Sequence, residues 1–193
     1  MDINDHRLIS EAEVAVFDFD GTLARFDLDW LALKADLSRL AESRGYPDRF
    51  LTTFHPDLAE VRELAGEPVF AELCAVIGEK EGGGFRPDTV DADLVGLMVD
   101  RMTRDVPTAI FSANSRAGIS QALEHPSFQG VRPFVVGRED VVRGKPDPEG
   151  LVTIASHFGV DPSALVFVGD APDDFASAEA AGVAMVRVAK IPL

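Results

Sequence analysis

Short apolar runs separated by polar, turn-rich stretches organise this chain. Five of them, over 14–19, 107–112, 133–137, 165–169 and 184–188, are short and rich in Val, Ile and Phe, and they predict buried strands. Between most of them the apolar positions recur at helical spacing. Ser115 to Glu124, Glu149 to Phe158 and Asp174 to Ala181 predict helices, the last closed by Gly182 as a C-cap. A helix from about Asp88 to Met102 precedes the second strand. Strands alternating with helices predict an α/β fold: a doubly wound, parallel, five-stranded Rossmann-like sheet. In such sheets ligands bind beyond the carboxyl ends of the strands.

One gap breaks the alternation. Residues 24–85 separate the first two strands, and a structureless loop of that length is uncommon. The segment carries three helical patterns, Trp30 to Ser43, Pro56 to Ala65 and Pro68 to Ile77. Arg25-Phe26-Asp27 and the glycine run Glu81-Gly82-Gly83-Gly84 are the expected hinges on either side, the second a flexible one. The predicted division is a core of residues 1–23 and 86–193 with a helical insertion over 24–85.

The strand ends carry the chemistry. The first run leads into Asp18-Phe19-Asp20-Gly21-Thr22-Leu23, two carboxylates two residues apart with a glycine that lets the chain turn. Two like charges this close resist joint ionisation unless a cation lies between them, and a hard divalent metal with oxygen ligands is the usual answer. One carboxylate can then act as nucleophile and the other as acid and base. Thr108-Ala109-Ile110-Phe111-Ser112 ends a strand in a hydroxyl. Gly144-Lys145-Pro146-Asp147-Pro148 sets a lysine before a helix start, with Asp147 as the expected cap and Pro148 at the first helical position. Leu165-Val166-Phe167-Val168-Gly169-Asp170 ends a strand in an acid, with Asp173 and Asp174 close behind.

Those four segments, in that order, resemble the motifs of the haloacid dehalogenase superfamily, most of whose members are magnesium-dependent phosphatases. The resemblance covers roughly residues 14–190, and the insertion is similar to the small helical cap of phosphoglycolate phosphatase-like members. It implies Asp18 as nucleophile forming an aspartyl phosphate, and Asp20 as acid and base. It implies Thr22 as the group orienting Asp20 beside the substrate. Ser112 and the Ala113 amide would contact the phosphoryl group, with Asn114 a further candidate, though Asn114 or Ser115 also suits the N-cap of the next helix. Many relatives carry asparagine in place of Ala113. Lys145 would neutralise charge on the phosphoryl group and on Asp18. Mg²⁺ would be held by Asp18, the carbonyl of Asp20 and Asp170, with Asp174 orienting the metal shell or Lys145; Asp173 is expected as a helix cap. Arg25, Trp30, Arg49, His55 and Arg62 are polar or aromatic residues of the insertion that could face the site. His6, His125 and His157 have no ligand spacing.

An acid at Asp20 argues for phosphoester hydrolysis or a phosphomutase, because relatives that release halide, and ion pumps, lack it. A phospho-accepting signalling module or a non-catalytic scaffold is the alternative outside the enzymes. The implied partner is a small phosphate ester whose identity the residues do not specify; nor do they specify oligomeric state.

Charge narrows the picture further. The 193 residues carry 33 acidic and 18 basic side chains, a net charge of −15, which disfavours a nucleic-acid partner. The single cysteine, Cys74, excludes a disulfide framework and a cysteine metal cluster. No signal-like or membrane-spanning apolar run is visible, so a soluble cytoplasmic enzyme is expected. Only four residues are lysine, and the acidic surface suits either a high-salt habitat or an ordinary acidic enzyme. If the surface is a high-salt adaptation, the melting temperature should fall from molar salt to dilute buffer as like charges lose their screening; a scan in which it does not move removes that reading.

Overall fold

Val14–Phe17 (β1) is buried at every position, as an unbroken apolar run requires of a central strand. It belongs to a computed structural model that describes residues 2–45 and 62–192. The other strands are Arg25–Phe26 (β2), Phe85–Arg86 (β3), Thr108–Phe111 (β4), Phe134–Val136 (β5), Leu165–Gly169 (β6) and Ala184–Arg187 (β7). The helices are Ile3–Glu11 (α1), Trp30–Ser43 (α2), Glu67–Gly84 (α3), Ala92–Thr103 (α4), Arg116–Leu123 (α5), Glu149–Phe158 (α6) and Pro172–Ala181 (α7).

The sheet runs β5-β4-β1-β6-β7 with every pairing parallel. The strand periodicity of two sorts its side chains onto opposite faces. Ala15, Phe17, Ile110, Val166 and Val168 join one core, with Leu94 and Met98 of α4, Ile119 of α5 and Ile9 of α1. Val14, Val16, Ala109, Phe111, Leu165 and Phe167 join the other, with Leu151 and Ile154 of α6 and Ala178 of α7. Both faces are covered, as the predicted doubly wound sheet demands.

The insertion between β1 and β4 has its own apolar cluster, Leu33, Leu37 and Ala41 of α2 against Phe70, Leu73, Cys74 and Ile77 of α3. Its two connections to the sheet pair with each other as the antiparallel ribbon β2–β3, and Asp27 N–H donates to Gly84 O at 2.7 Å. The predicted helix over Pro56 to Ala65 lies largely outside the described residues, as do Arg49 and His55.

Two expectations from the sequence need correction. The glycine run is not a loose hinge: α3 continues through it to Gly84. Gly82 of the run, and Gly78 one turn before it, lie where α3 meets α5. A Cβ on Gly78 would lie 2.9 Å from Ala117 Cβ, one on Gly82 would lie 1.7 Å from Gln121 Oε1, and one on Gly118 would lie 2.6 Å from Glu81 Cβ. Glycine here allows close approach of two helices rather than chain flexibility.

The second is α1, a helix the apolar pattern did not announce because Ile9 is its single buried residue. Asp2 caps its start, accepting from the Asn4 and Asp5 amides. Its end is fastened by Arg101, which is fully buried in α4. The guanidinium donates to Ile9 O at 2.7 Å, Ala12 O at 3.0 Å and Pro107 O at 2.7 Å. Burial pulls its pKa down to about 10, still well above neutrality. Replacing it leaves carbonyls buried without donors, at ~1–3 kcal/mol for an unsatisfied group. Arg101→Met should thus lower unfolding free energy by about 3 kcal/mol, read from urea denaturation, and should raise hydrogen exchange in α1; an unchanged midpoint would refute the role of Arg101 as the fastening.

Candidate active site

At the carboxyl end of β1 the ladder extends one residue further, Asp18 N–H donating to Val168 O at 2.8 Å. The chain then turns back. The amides of Thr22, Leu23 and Ala24 all donate to Phe19 O. Gly21 makes the turn with φ +96°, and a Cβ there would lie 2.7 Å from Asp170 Oδ1. Only glycine suits both that conformation and that approach. The tail crosses this turn, with Ile191 N–H donating to Gly21 O at 2.9 Å.

The four predicted segments converge on one cleft of about 240 Å³, lined by Asp18, Asp20, Ser112, Ala113, Asn114, Lys145, Asp170 and Asp174 among others. At its floor the Lys145 ammonium donates to Asp18 Oδ1 and to Asp174 Oδ1, both at 2.6 Å. The Phe111 and Phe167 rings lie 5.1 and 5.2 Å from Nζ, within range of cation–π attraction. Burial pushes the Asp18 carboxyl up to about 6; Lys145 opposes this and Asp174 reinforces it. Burial alone would lower the Lys145 ammonium, but Asp18 and Asp174 together outweigh it, so its pKa is raised.

Asp20 stands nearer the insertion. Its Oδ1 accepts from the Phe26 amide at 2.9 Å, and its Oδ2 lies 3.4 Å from Arg25 Nη1. Burial raises its pKa, with the Phe26 hydrogen bond and Arg25 opposing. The β2 segment thus aims the second acid.

Carboxylate oxygens of Asp18, Asp170 and Asp174 come within 4.8 Å of one another. Asp170 Oδ2 is buried and accepts no hydrogen bond; the Lys190 ammonium is 4.0 Å away. A buried carboxylate oxygen with nothing bonded to it is costly, and an all-oxygen donor set suits a hard divalent cation. Asp18 and Asp170 fit such an ion. Asp174 is otherwise engaged, Oδ1 with Lys145 and Oδ2 with the Ala171 amide at 2.9 Å.

Several predicted details differ. Thr22 is buried, does not line the cleft, and donates to Asp170 Oδ1 at 3.0 Å rather than to Asp20. The tight Gly21 turn points its hydroxyl toward β6. Asp173 lines the cleft, and it is Asp174, three residues past the N-cap, that closes α7. Ser115 is the N-cap of α5. Asp147 accepts from Glu149 N–H, and α6 spans Glu149–Phe158 as expected, with Pro148 at its N-cap rather than its first position. Ser112 Oγ donates to Asn114 Oδ1 at 2.9 Å.

Of the insertion residues, Trp30 lines the cleft. Arg62 instead pairs with Glu67, donates to Val141 O at 2.7 Å and lies over the Phe70 ring. His125 packs on Phe85, and His157 stacks on Phe134. The cleft also holds Arg138 and Lys190, which sequence reasoning passed over. Both follow strand ends, β5 and β7, and the strand-end rule would have found them.

A family model of haloacid dehalogenase-like hydrolases matches residues 95–188. Validoxylamine A 7'-phosphate phosphatase from Streptomyces hygroscopicus subsp. limoneus is 30% identical over 180 residues, which cover 89% of this chain and 83% of that protein. Phosphoglycolate phosphatase from Shigella dysenteriae is 28% identical over 201 residues, covering 86% and 77%. Among solved structures, CbbY from Rhodobacter sphaeroides in complex with phosphate has a TM-score of 0.59 at 19% identity, covering 93% of this chain and 87% of that one; the likeness is one of fold.

The raised Asp18 pKa has a signed consequence. The folded value lies above the unfolded one, so this group's contribution to stability is full below about pH 4 and is lost as pH rises through about 6. In metal-free buffer, Asp18→Asn should be more stable than the parent at pH 7.5, with the gap closing toward about pH 4. A gap of the same size at both pH values would show that Asp18 is not held above its ordinary pKa.

Proposed function

Because the chain belongs to the haloacid dehalogenase-like hydrolases, we propose that it hydrolyses a small phosphorylated metabolite through an aspartyl phosphate on Asp18, with Mg²⁺ as cofactor. It is a phosphatase of that family. Phosphoglycolate and sugar-like phosphates are the compounds that the names of its relatives suggest testing. The observation that carries the mechanism is the Lys145 clamp: one carboxylate oxygen of Asp18 is fixed by Nζ at 2.6 Å at the floor of a cleft whose rim holds a second acid.

In this reading an oxygen of Asp18 attacks phosphorus, and the bond from phosphorus to the ester oxygen breaks. Asp20, whose pKa is raised by burial, gives its proton to that leaving oxygen. Asp20, now ionised, takes a proton from water, the water oxygen attacks phosphorus, and the Asp18 carboxylate is released with inorganic phosphate. Lys145, together with the Ser112 hydroxyl and the Ala113 amide, offsets charge on the phosphoryl oxygens. Asp174 holds Lys145 in place. Asp18 and Asp170, with the main-chain carbonyl of Asp20, would hold Mg²⁺, which supplies further charge neutralisation when bound. Trp30, at the start of α2, helps close the cleft from the insertion side.

Two measurements test this. Turnover of a chromogenic phosphate ester should require Mg²⁺ and stop in excess chelator; Asp170→Asn should raise the half-saturating Mg²⁺ concentration more than Asp174→Asn does. Full activity in chelator would refute the cofactor assignment. Second, Asp18→Asn should lose essentially all turnover, since phosphate monoester hydrolysis is accelerated by up to ~10²¹-fold. Asp20→Asn should still be phosphorylated by esters with good leaving groups but should hydrolyse the intermediate slowly. Mass spectrometry should then find phosphate on Asp18 of the Asp20→Asn protein and none on Asp18→Asn. Phosphate on a serine or histidine, or robust turnover by Asp18→Asn, would overturn the mechanism. A phosphorylated wild-type protein that never turns over would favour a phospho-accepting module.

A further inference from the structure

Glu81 is a carboxylate with no exposure to solvent, set in the last turn of α3. It reaches across to the loop after β4. Asn114 Nδ2 donates to its Oε1 at 3.0 Å; the Ser115 amide, at 2.8 Å, and the Ser115 hydroxyl both donate to its Oε2. Arg138 Nη2 lies 3.4 Å from Oε1, and the Arg138 amide donates to Asn114 O at 2.9 Å. Asn114 in turn accepts from Ser112 Oγ. Ser112, Ala113, Asn114 and Arg138 all line the cleft, while Glu81 does not.

A chain of polar contacts therefore runs from the insertion to the cleft: α3, Glu81, Asn114, Ser112 Oγ. Its first link is rigid. Gly78, Gly82 and Gly118 bring α3 and α5 close enough that Glu81 enters the core at a fixed depth. A buried carboxylate that accepts charge-assisted hydrogen bonds holds its donors more firmly than a neutral group can. Losing it would leave the Asn114 amide and the Ser115 N–H short of acceptors, so the loop would move to find others.

We propose that Glu81 is a positioning residue that fixes the loop Ser112-Ala113-Asn114 for phosphate, and that through it the packing of α3 sets the phosphate affinity of the site. The proposal rests on the phosphoryl role given above to Ser112 and Ala113. It assigns a function to a position inside the glycine run, where the sequence suggests only a linker.

The test is calorimetric titration of inorganic phosphate, with Mg²⁺ present, into the wild type, Glu81→Gln, Ser115→Ala and Glu79→Gln; turnover of a chromogenic ester and melting temperature are measured in parallel. Glu81→Gln keeps the shape but loses the charge and one acceptor. Its phosphate dissociation constant should rise about tenfold, as expected for loss of one charge-assisted hydrogen bond, while its half-saturating Mg²⁺ concentration stays near that of the wild type. Ser115→Ala should weaken phosphate in the same direction by less. Glu79, exposed on the same helix, should be indifferent to substitution. A Glu81→Gln protein with lowered melting temperature but wild-type phosphate affinity has lost a merely structural group, and the proposal falls. If Glu81→Gln does not fold, Ser115→Ala decides, and wild-type affinity there overturns the proposal. An equal effect of Glu79→Gln overturns it as well. Wild-type protein that binds no phosphate overturns both this inference and the functional reading; wild-type turnover with normal phosphate binding by Glu81→Gln overturns this inference alone.

Discussion

The buried ammonium of Lys145 is the contact on which the rest of this site depends. Asp18 follows β1, Asp174 lies in α7 after β6, and both carboxylates meet at the ammonium with 2.6 Å contacts. Without it two acids with almost no exposure would face each other in a medium that screens poorly. Removing one partner of a buried ion pair typically costs ~3–5 kcal/mol. The group is seated between Phe111 and Phe167, inward-facing residues of β4 and β6, so the sheet core itself sets where the charge sits. Even so Asp18 is held above the ordinary carboxylate range by burial. The fold bears that cost at the position proposed above as the nucleophile, and strongly perturbed carboxylates in clefts are a common pattern in catalytic sites.

A second constraint joins the insertion to the sheet. The β2–β3 ribbon ties its two ends together, and α3 packs on α5 through glycine and alanine. The same strands aim chemistry: the Phe26 amide of β2 holds Asp20, and Arg25 lies beside it. Both acids of the first motif are therefore oriented by contacts from outside the motif, one by Lys145 and one by β2. Glu81 adds a third such contact by holding the loop that carries Ser112.

Much of this was legible in the residues. The five apolar runs became the five strands of the sheet; β1, β4 and β6 are buried at every position and so are almost wholly apolar, while the edge strands β5 and β7 are partly exposed. The Asp18, Ser112 and Asp170 segments fell at strand ends, with Lys145 in the connection from β5 to α6, because a parallel sheet gathers those ends along one edge. Gly182 capped α7 as its position after the last helical residue implied.

What the chain determined by itself was thus local: period, turn chemistry and the order of the motif residues. Only the tertiary structure decided the rest, because it turned on pairings between distant segments. Arg101 fastens α1 through carbonyls some 90 positions away in sequence, which no local pattern encodes. The hydroxyl of Thr22 turns to Asp170, 148 positions away, rather than to Asp20 nearby. Gly82 reads as flexible in one dimension and is a helix contact in three, since absence of a side chain permits both. Glu81 sits beside it as one more acid in an acidic chain. Its role appears only when Asn114, Ser115 and Arg138 are brought around it, because a buried charge acquires its partners from packing and not from its neighbours in sequence.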